Sequence, residues 1–134
     1  MRSQDIMQGP EWANVRALYK AGGFTDAELK KPLIGVVNAF NDICPGHVVL
    51  KDMTKRVKEG IYAAGGTPLE FGTIGACDGI AMAHDGMKYI LPGREDIAND
   101  IETMVQAHRL DGLVLLGSCD KIVPGMLLGA LRVN

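Results

Sequence analysis

Donor atoms of two kinds gather in the short polar loops of this chain. The densest group is Cys119-Asp120-Lys121, a thiol, a carboxylate and an amine in succession. Cys77-Asp78 repeats the thiol–carboxylate pair, and Cys44 stands before Pro45. A thiolate suits soft or borderline metals, whereas Mg2+ takes a few carboxylates and keeps its waters. Cys119 is therefore a candidate ligand for a soft metal, and Asp78 and Asp120 are candidates for Mg2+. Each also has an ordinary reading. A Cys is often a small buried hydrophobe, and a loop Asp often closes an Asx turn or caps a helix. Lys121 forms either a surface ion pair with Asp120 or, if held in a metal site, binds substrate or carries a modification. Zinc is weakly supported, because no Cys-x-x-Cys pair occurs.

Other polar residues carry less. His47 and His84 lie near the loops, but a lone His is more often structural. His108 ends a predicted helix, where a cation is favourable. Gly75 and Gly79 would let backbone approach a phosphate, yet no P-loop or dinucleotide fingerprint is present.

The elements that position these loops are legible from hydrophobic pattern. Leu33 to Val37 and Leu113 to Leu116 are near-continuous apolar runs, as expected of parallel strands covered on both faces. Thr67 to Thr73 reads as a weaker strand, interrupted by Pro68 and Glu70. Helices are predicted from Trp12 to Lys20, from Val48 to Ala64, from about Pro92 to His108, and from about Pro124 onward. In the second of these, Val49, Met53, Val57 and Ile61 are predicted to form the buried stripe, with Lys51, Lys55, Arg56 and Lys58 on the solvated face. In the third, Ile97, Ile101, Met104 and Val105 face inward. Thr25-Asp26-Ala27-Glu28 is a capping box opening a short helix to about Lys30. The residues before Trp12 read as an extended arm, and Ile80 to Tyr89 has no predicted conformation. Strands alternating with helices predict an α/β fold, a three-layer α/β/α arrangement around a mainly parallel sheet. In such sheets the loops at the carboxyl ends of the strands share one edge, where ligands bind. Cys44, Cys77-Asp78 and Cys119-Asp120-Lys121 all fall in those loops, which points to a metal or cluster site.

Composition narrows the class. The 134 residues carry a formal net charge of -2 and are 47% hydrophobic, which fits a globular domain with no basic face for nucleic acid. No apolar run approaches the roughly 20 residues that span a bilayer, and the first residues lack the apolar core of a secretory signal. The expectation is a cytoplasmic protein. An odd count of three Cys argues against a disulfide framework and for metal or catalytic use.

Asp78-Gly79-Ile80-Ala81-Met82, Cys119-Asp120-Lys121 and Pro124-Gly125-Met126 together resemble the dihydroxy-acid dehydratase and phosphogluconate dehydratase family. Pro45-Gly46-His47, Glu70-Phe71 and the stretch from Arg94-Glu95 to Glu102 fit the same pattern, so nearly the whole chain is covered. The resemblance implies a lyase that removes water from a sugar acid or a branched dihydroxy acid to give a 2-keto acid. It implies an iron–sulfur cluster, [2Fe-2S] or [4Fe-4S], and Mg2+. Cys119 matches a cluster ligand, Asp78 and Asp120 match Mg2+ ligands, and Lys121 matches a lysine that binds Mg2+ through a carbamate. In some members a cluster cysteine directly follows the proline of the first loop. Here Gly46 follows Pro45 and Cys44 precedes it, so Cys44 or Cys77 substitutes, or that ligand is missing.

Members are much longer, with a third cluster cysteine, a further Mg2+ ligand and the catalytic base further along the chain. Residues 1–134 are thus expected to form an incomplete N-terminal α/β domain, inactive alone, of an enzyme that is a homodimer at full length. The Arg2-Ser3 start and the Pro-Gly-His loop lean toward dihydroxy-acid dehydratase of valine and isoleucine biosynthesis. A phosphogluconate or other sugar-acid dehydratase is the alternative, and a non-catalytic α/β module binding an anion is a third reading.

Overall fold

A computed structural model describes all 134 residues, Met1–Asn134. The chain runs α1 (Ala13–Ala21), α2 (Asp26–Leu29), β1 (Leu33–Asn38), α3 (Pro45–Val48), α4 (Leu50–Ala63), β2 (Thr67–Gly72), α5 (Asp78–Ala81), α6 (Gly93–His108), β3 (Gly112–Leu116) and α7 (Ile122–Val133). The strands are parallel in the order β2-β1-β3, with Val37 opposite Phe71 on one side and Leu115 on the other. Both crossovers pass through helices, as parallel connections require. Leu33, Val36 and Val37 of the central strand are completely buried, so both faces of β1 are covered.

The two faces differ in their cover. Asn38 reaches Thr54 of α4, and Ile34 and Ile61 flank Gly66, so the Ile34-Val36-Asn38 face lies under α4. On the other face Met104 of α6 lines one recess with Leu69 and Phe71, and Ala130 and Val133 of α7 line another with Leu113. This is the expected three-layer arrangement. Helices α6 and α7 cross closely because Gly125 and Gly129 present no side chain: a Cβ on Gly129 would lie 2.8 Å from Ile101 Cβ.

Two expectations are corrected. The stripe on α4 is not Val49-Met53-Val57-Ile61: Val49 and Met53 are 56% and 48% exposed, while Leu50 and Thr54 are buried. A helix turns 3.6 residues per cycle, so a strict spacing of four drifts around the cylinder by about 40° per step. Leu50, Thr54, Val57 and Ile61 follow the true period. The helix also starts later than expected, because α3 precedes it as a separate short turn.

The first residues are not an extended arm either. They form 3-10 turns over Arg2–Ile6 and Pro10–Trp12, with Ser3 and Met7 buried. Asp111, in the turn before β3, holds them down: its carboxylate accepts from Ser3 N at 3.0 Å, Ser3 Oγ at 2.5 Å and Leu33 N at 2.9 Å. Burial alone would raise the Asp111 pKa, but these donors outweigh it and hold it below the usual carboxylate value. A depressed pKa contributes stability above the ordinary carboxylate range, about pH 3.9, and loses it as pH falls through the folded value. Asp111→Ala is expected to cost about 1–3 kcal/mol at neutral pH by stranding buried donors. The thermal midpoints of wild type and variant should draw together below about pH 4. Equal midpoints at pH 7 would contradict this role.

Candidate functional site

The site lies where β1, β2 and β3 all end, on one edge of the sheet. Strand order reverses at β1, the place where open α/β sheets form ligand crevices. Each exit loop is shaped by its own sequence. In the first, Asn41 closes an Asx turn: its Oδ1 accepts from Ile43 N at 3.0 Å and Cys44 N at 2.8 Å. Pro45 then opens α3, with Cys44 at the position before it. In the second, Cys77 holds the equivalent position before α5. In the third, Cys119 adopts φ 80°, in the left-handed region.

One partly buried network ties the three loops together. Both oxygen contacts of Asn41 come from backbone N–H groups, so its Nδ2 is the donor. It reaches Gly75 O at 3.0 Å, Ala39 O at 3.1 Å and His47 Nδ1 at 3.2 Å. His47 Nδ1 therefore accepts, and its Nε2–H donates to Ser118 O at 2.9 Å. The ring is completely buried, and neither nitrogen is left to bind a metal. The loops can approach this closely only because two residues lack side chains. A Cβ on Gly75 would lie 2.3 Å from Asn41 Nδ2, and one on Gly46 would lie 2.6 Å from Ser118 Oγ. Gly75 thus serves contact between loops. Asn38 anchors the first loop from below, donating to Thr54 Oγ1 at 2.9 Å and Glu70 Oε1 at 3.0 Å and accepting from Phe40 N at 2.9 Å.

Against this scaffold the donor atoms converge. The Sγ atoms of Cys44, Cys77 and Cys119 lie within 4.8 Å of one another, and all are free thiols. Cys119 Sγ donates to Asp78 Oδ1 at 3.0 Å, and Lys121 Nζ lies 3.4 Å from Asp78 Oδ2 and pairs with Asp120. Asp78 and Asp120 therefore share one cation, the Lys121 ammonium. Burial, then the hydrogen bond to the Asp78 carboxylate, pushes the Cys119 thiol up to about 11. Cys77 is moved the other way, chiefly by the backbone N–H of Ile80. Asp78 is held below the usual carboxylate value, first by Cys119 and then by Lys121. The Lys121 ammonium is stabilised chiefly by Asp120.

Three sulfurs without a nitrogen donor suit an iron–sulfur cluster, and two carboxylates aimed at one positive charge suit Mg2+. The residues thus fit both groups. His84 stands apart, its Nδ1 accepting from Gly86 N at 3.0 Å to cap the 3-10 turn Asp85–Tyr89. His108 Nδ1 meets Met104 O at 2.9 Å at the end of α6, a structural role. Sequence reasoning singled out Cys119, Asp78, Asp120 and Lys121, which the structure brings together. It left Cys44 and Cys77 open and passed over Asn41, although an Asn three residues before a Cys-Pro pair signals an Asx turn.

The family model described as dihydroxy-acid/6-phosphogluconate dehydratase N-terminal matches residues 31–134. The chain is 60% identical over its whole length to a dihydroxy-acid dehydratase of Methanoregula boonei. It is 59% identical to one of Archaeoglobus fulgidus and 58% identical to one of Methanococcus vannielii. It spans 24% of the length of each of these relatives.

Proposed function

The chain belongs to the dihydroxy-acid/6-phosphogluconate dehydratase family, and on that premise we propose that it is part of a dihydroxy-acid dehydratase. Its substrates would be 2,3-dihydroxy-3-methylbutanoate and related acids of branched-chain amino-acid biosynthesis, converted to 2-keto acids. The observation that carries this reading is the meeting of three thiols and an Asp78–Lys121–Asp120 group at one sheet edge. That these relatives are dihydroxy-acid dehydratases favours dihydroxy acids over 6-phosphogluconate.

Cys119 would hold an iron–sulfur cluster, and Asp78, Asp120 and Lys121 would hold Mg2+. When bound, these groups supply a Lewis acid for the leaving 3-hydroxyl and a cation for the substrate carboxylate and 2-hydroxyl. The chain itself fixes the donors. Asp78 bridges the two halves, touching Cys119 Sγ and Lys121 Nζ. A homodimer and a cytoplasmic setting belong to the same proposal; no helix here is long and apolar enough to cross a membrane.

The test is keto-acid formation by the full-length protein, purified without oxygen, from 2,3-dihydroxy-3-methylbutanoate and from 6-phosphogluconate. The branched acid should be turned over with a kcat/KM at least about 100-fold higher, the discrimination expected where a site must satisfy different polar groups. Equal or reversed preference would move the protein to the sugar-acid branch. No turnover of either, with no iron or sulfide bound, would leave the anion-binding module.

A further inference from the structure

We infer that Glu70 is a positioning residue of the site: from β2 it fixes the amide of Asn38, and through that amide it holds the first exit loop in place. The consequence for turnover rests on the dehydratase function proposed above. The consequence for the loop does not.

A carboxylate in the middle of β2 has no obvious part in the fold. Strands disfavour Glu, and Glu70 lies on the side of the sheet that α4 covers, beside Thr54 and Lys58. The ordinary reading is an ion pair, with Oε2 at 3.2 Å from Lys58 Nζ. Both side chains are more than a third exposed, so that pair contributes little to stability. It also accounts for only one of the two oxygens. The other, Oε1, turns inward and accepts from Asn38 Nδ2 at 3.0 Å, although Asn38 is only 6% exposed.

The Asn38 amide carries two N–H hydrogens and needs two acceptors. Thr54 Oγ1 is one of them. Its own proton goes to Leu50 O at 2.7 Å, so toward Asn38 it can only accept. Glu70 is the other. Together they orient the amide so that its Oδ1 faces Phe40 N and accepts from it at 2.9 Å. The backbone here is the seam of the three strand ends: Asn38 O accepts from Thr73 N at 3.2 Å, and Ala39 N donates to Leu116 O at 3.0 Å. Ala39 O accepts in turn from Asn41, whose Oδ1 holds the Cys44 N–H. Every link from Glu70 to the backbone of Cys44 is therefore a hydrogen bond or a short run of chain. No hydrogen bond of Glu70 reaches Asp78, Asp120 or Lys121, so its effect passes through Asn38. Without Glu70, one hydrogen of a buried amide loses its partner, and the amide is free to turn away from Phe40 N.

The experiment is amide hydrogen exchange in the full-length protein, purified without oxygen, for wild type, Glu70→Leu, Glu70→Gln and Lys58→Met. Steady-state kinetics on 2,3-dihydroxy-3-methylbutanoate are measured beside it. In Glu70→Leu, exchange in residues 39–44 should be faster by about tenfold or more, the scale set by stranding one buried donor, while exchange in α6 stays within about twofold of wild type. Glu70→Gln keeps an acceptor oxygen for Asn38 and should return loop exchange to within about threefold. Lys58→Met removes the ion pair and keeps the acceptor, so it should behave as wild type. The kcat should follow the loop, falling about tenfold in Glu70→Leu and recovering in Glu70→Gln, because small misplacements of a site cost rate. KM should stay within about twofold, since Asp78, Asp120 and Lys121 belong to the other two loops. Unchanged loop exchange in Glu70→Leu, or exchange as fast in Glu70→Gln or Lys58→Met as in Glu70→Leu, would overturn the positioning role. So would exchange in α6 raised as much as in the loop, the mark of general loosening. A faster loop with kcat at the wild-type value would overturn its bearing on the site. A wild type that turns over no dihydroxy acid would overturn the dehydratase function, and loop exchange would still decide the role of Glu70.

Discussion

On the dehydratase function proposed above, Asp78→Asn in the full-length protein should lower kcat/KM on 2,3-dihydroxy-3-methylbutanoate by on the order of a thousandfold. A metal ion contributes several kcal/mol to the transition state, and each 1.36 kcal/mol is about tenfold in rate. The side chain is nearly isosteric, so the effect is one of charge. Asp78 is held in its anionic form by Cys119 and Lys121, and with Asp120 it converges on a single cation. Removing its charge leaves Asp120, which is 70% exposed, as the remaining carboxylate of this pair. One exposed carboxylate holds Mg2+ poorly, because the ion surrenders its waters reluctantly. Activity plotted against Mg2+ concentration should therefore shift to higher concentration, while iron and sulfide content stay at the wild-type level. Unchanged kcat/KM and unchanged Mg2+ dependence would remove Asp78 from the ligand set.

The reach of sequence reasoning here follows the range of the interactions concerned. The Thr25–Glu28 capping box spans four residues, and both of its hydrogen bonds are present. The strands were legible because a strand buried on both faces needs an unbroken apolar run, and Leu33 to Val37 supplies one. The shared edge then followed from parallel topology alone. What topology does not give is distance. The convergence of Cys44 and Cys77 with Cys119 depends on hydrogen bonds from Asn41 to Gly75 and from His47 to Ser118, across 34 and 71 positions. No local pattern encodes them. The segment from Ile80 to Tyr89 resisted prediction for a different reason. It is assembled from a four-residue helix and a 3-10 turn capped by His84, too short for any period to show.

His47 is the residue for which the ordinary reading and the functional one meet. It is structural, completely buried with both ring nitrogens engaged, yet what it stabilises is the site itself. His47→Ala should destabilise the protein by about 3 kcal/mol or more, combining a cavity with stranded polar groups on Asn41 and Ser118. The larger consequence is functional. Ser118 adjoins Cys119, and Asn41 positions the backbone of Cys44, so freeing both lets two of the three sulfurs drift. On the dehydratase reading proposed above, affinity for an iron–sulfur cluster should fall about 10–100-fold, as when outer partners of metal ligands are removed. His47→Gln retains a donor for Ser118 O and should recover part of the iron content, a recovery that mere filling of space by His47→Leu would not give. Iron and sulfide per chain, read beside the thermal midpoint of each metal-free form, separate the two contributions. If His47→Leu and His47→Gln bind as much iron as wild type, the buried imidazole only fills volume, and the loops hold their thiols without it.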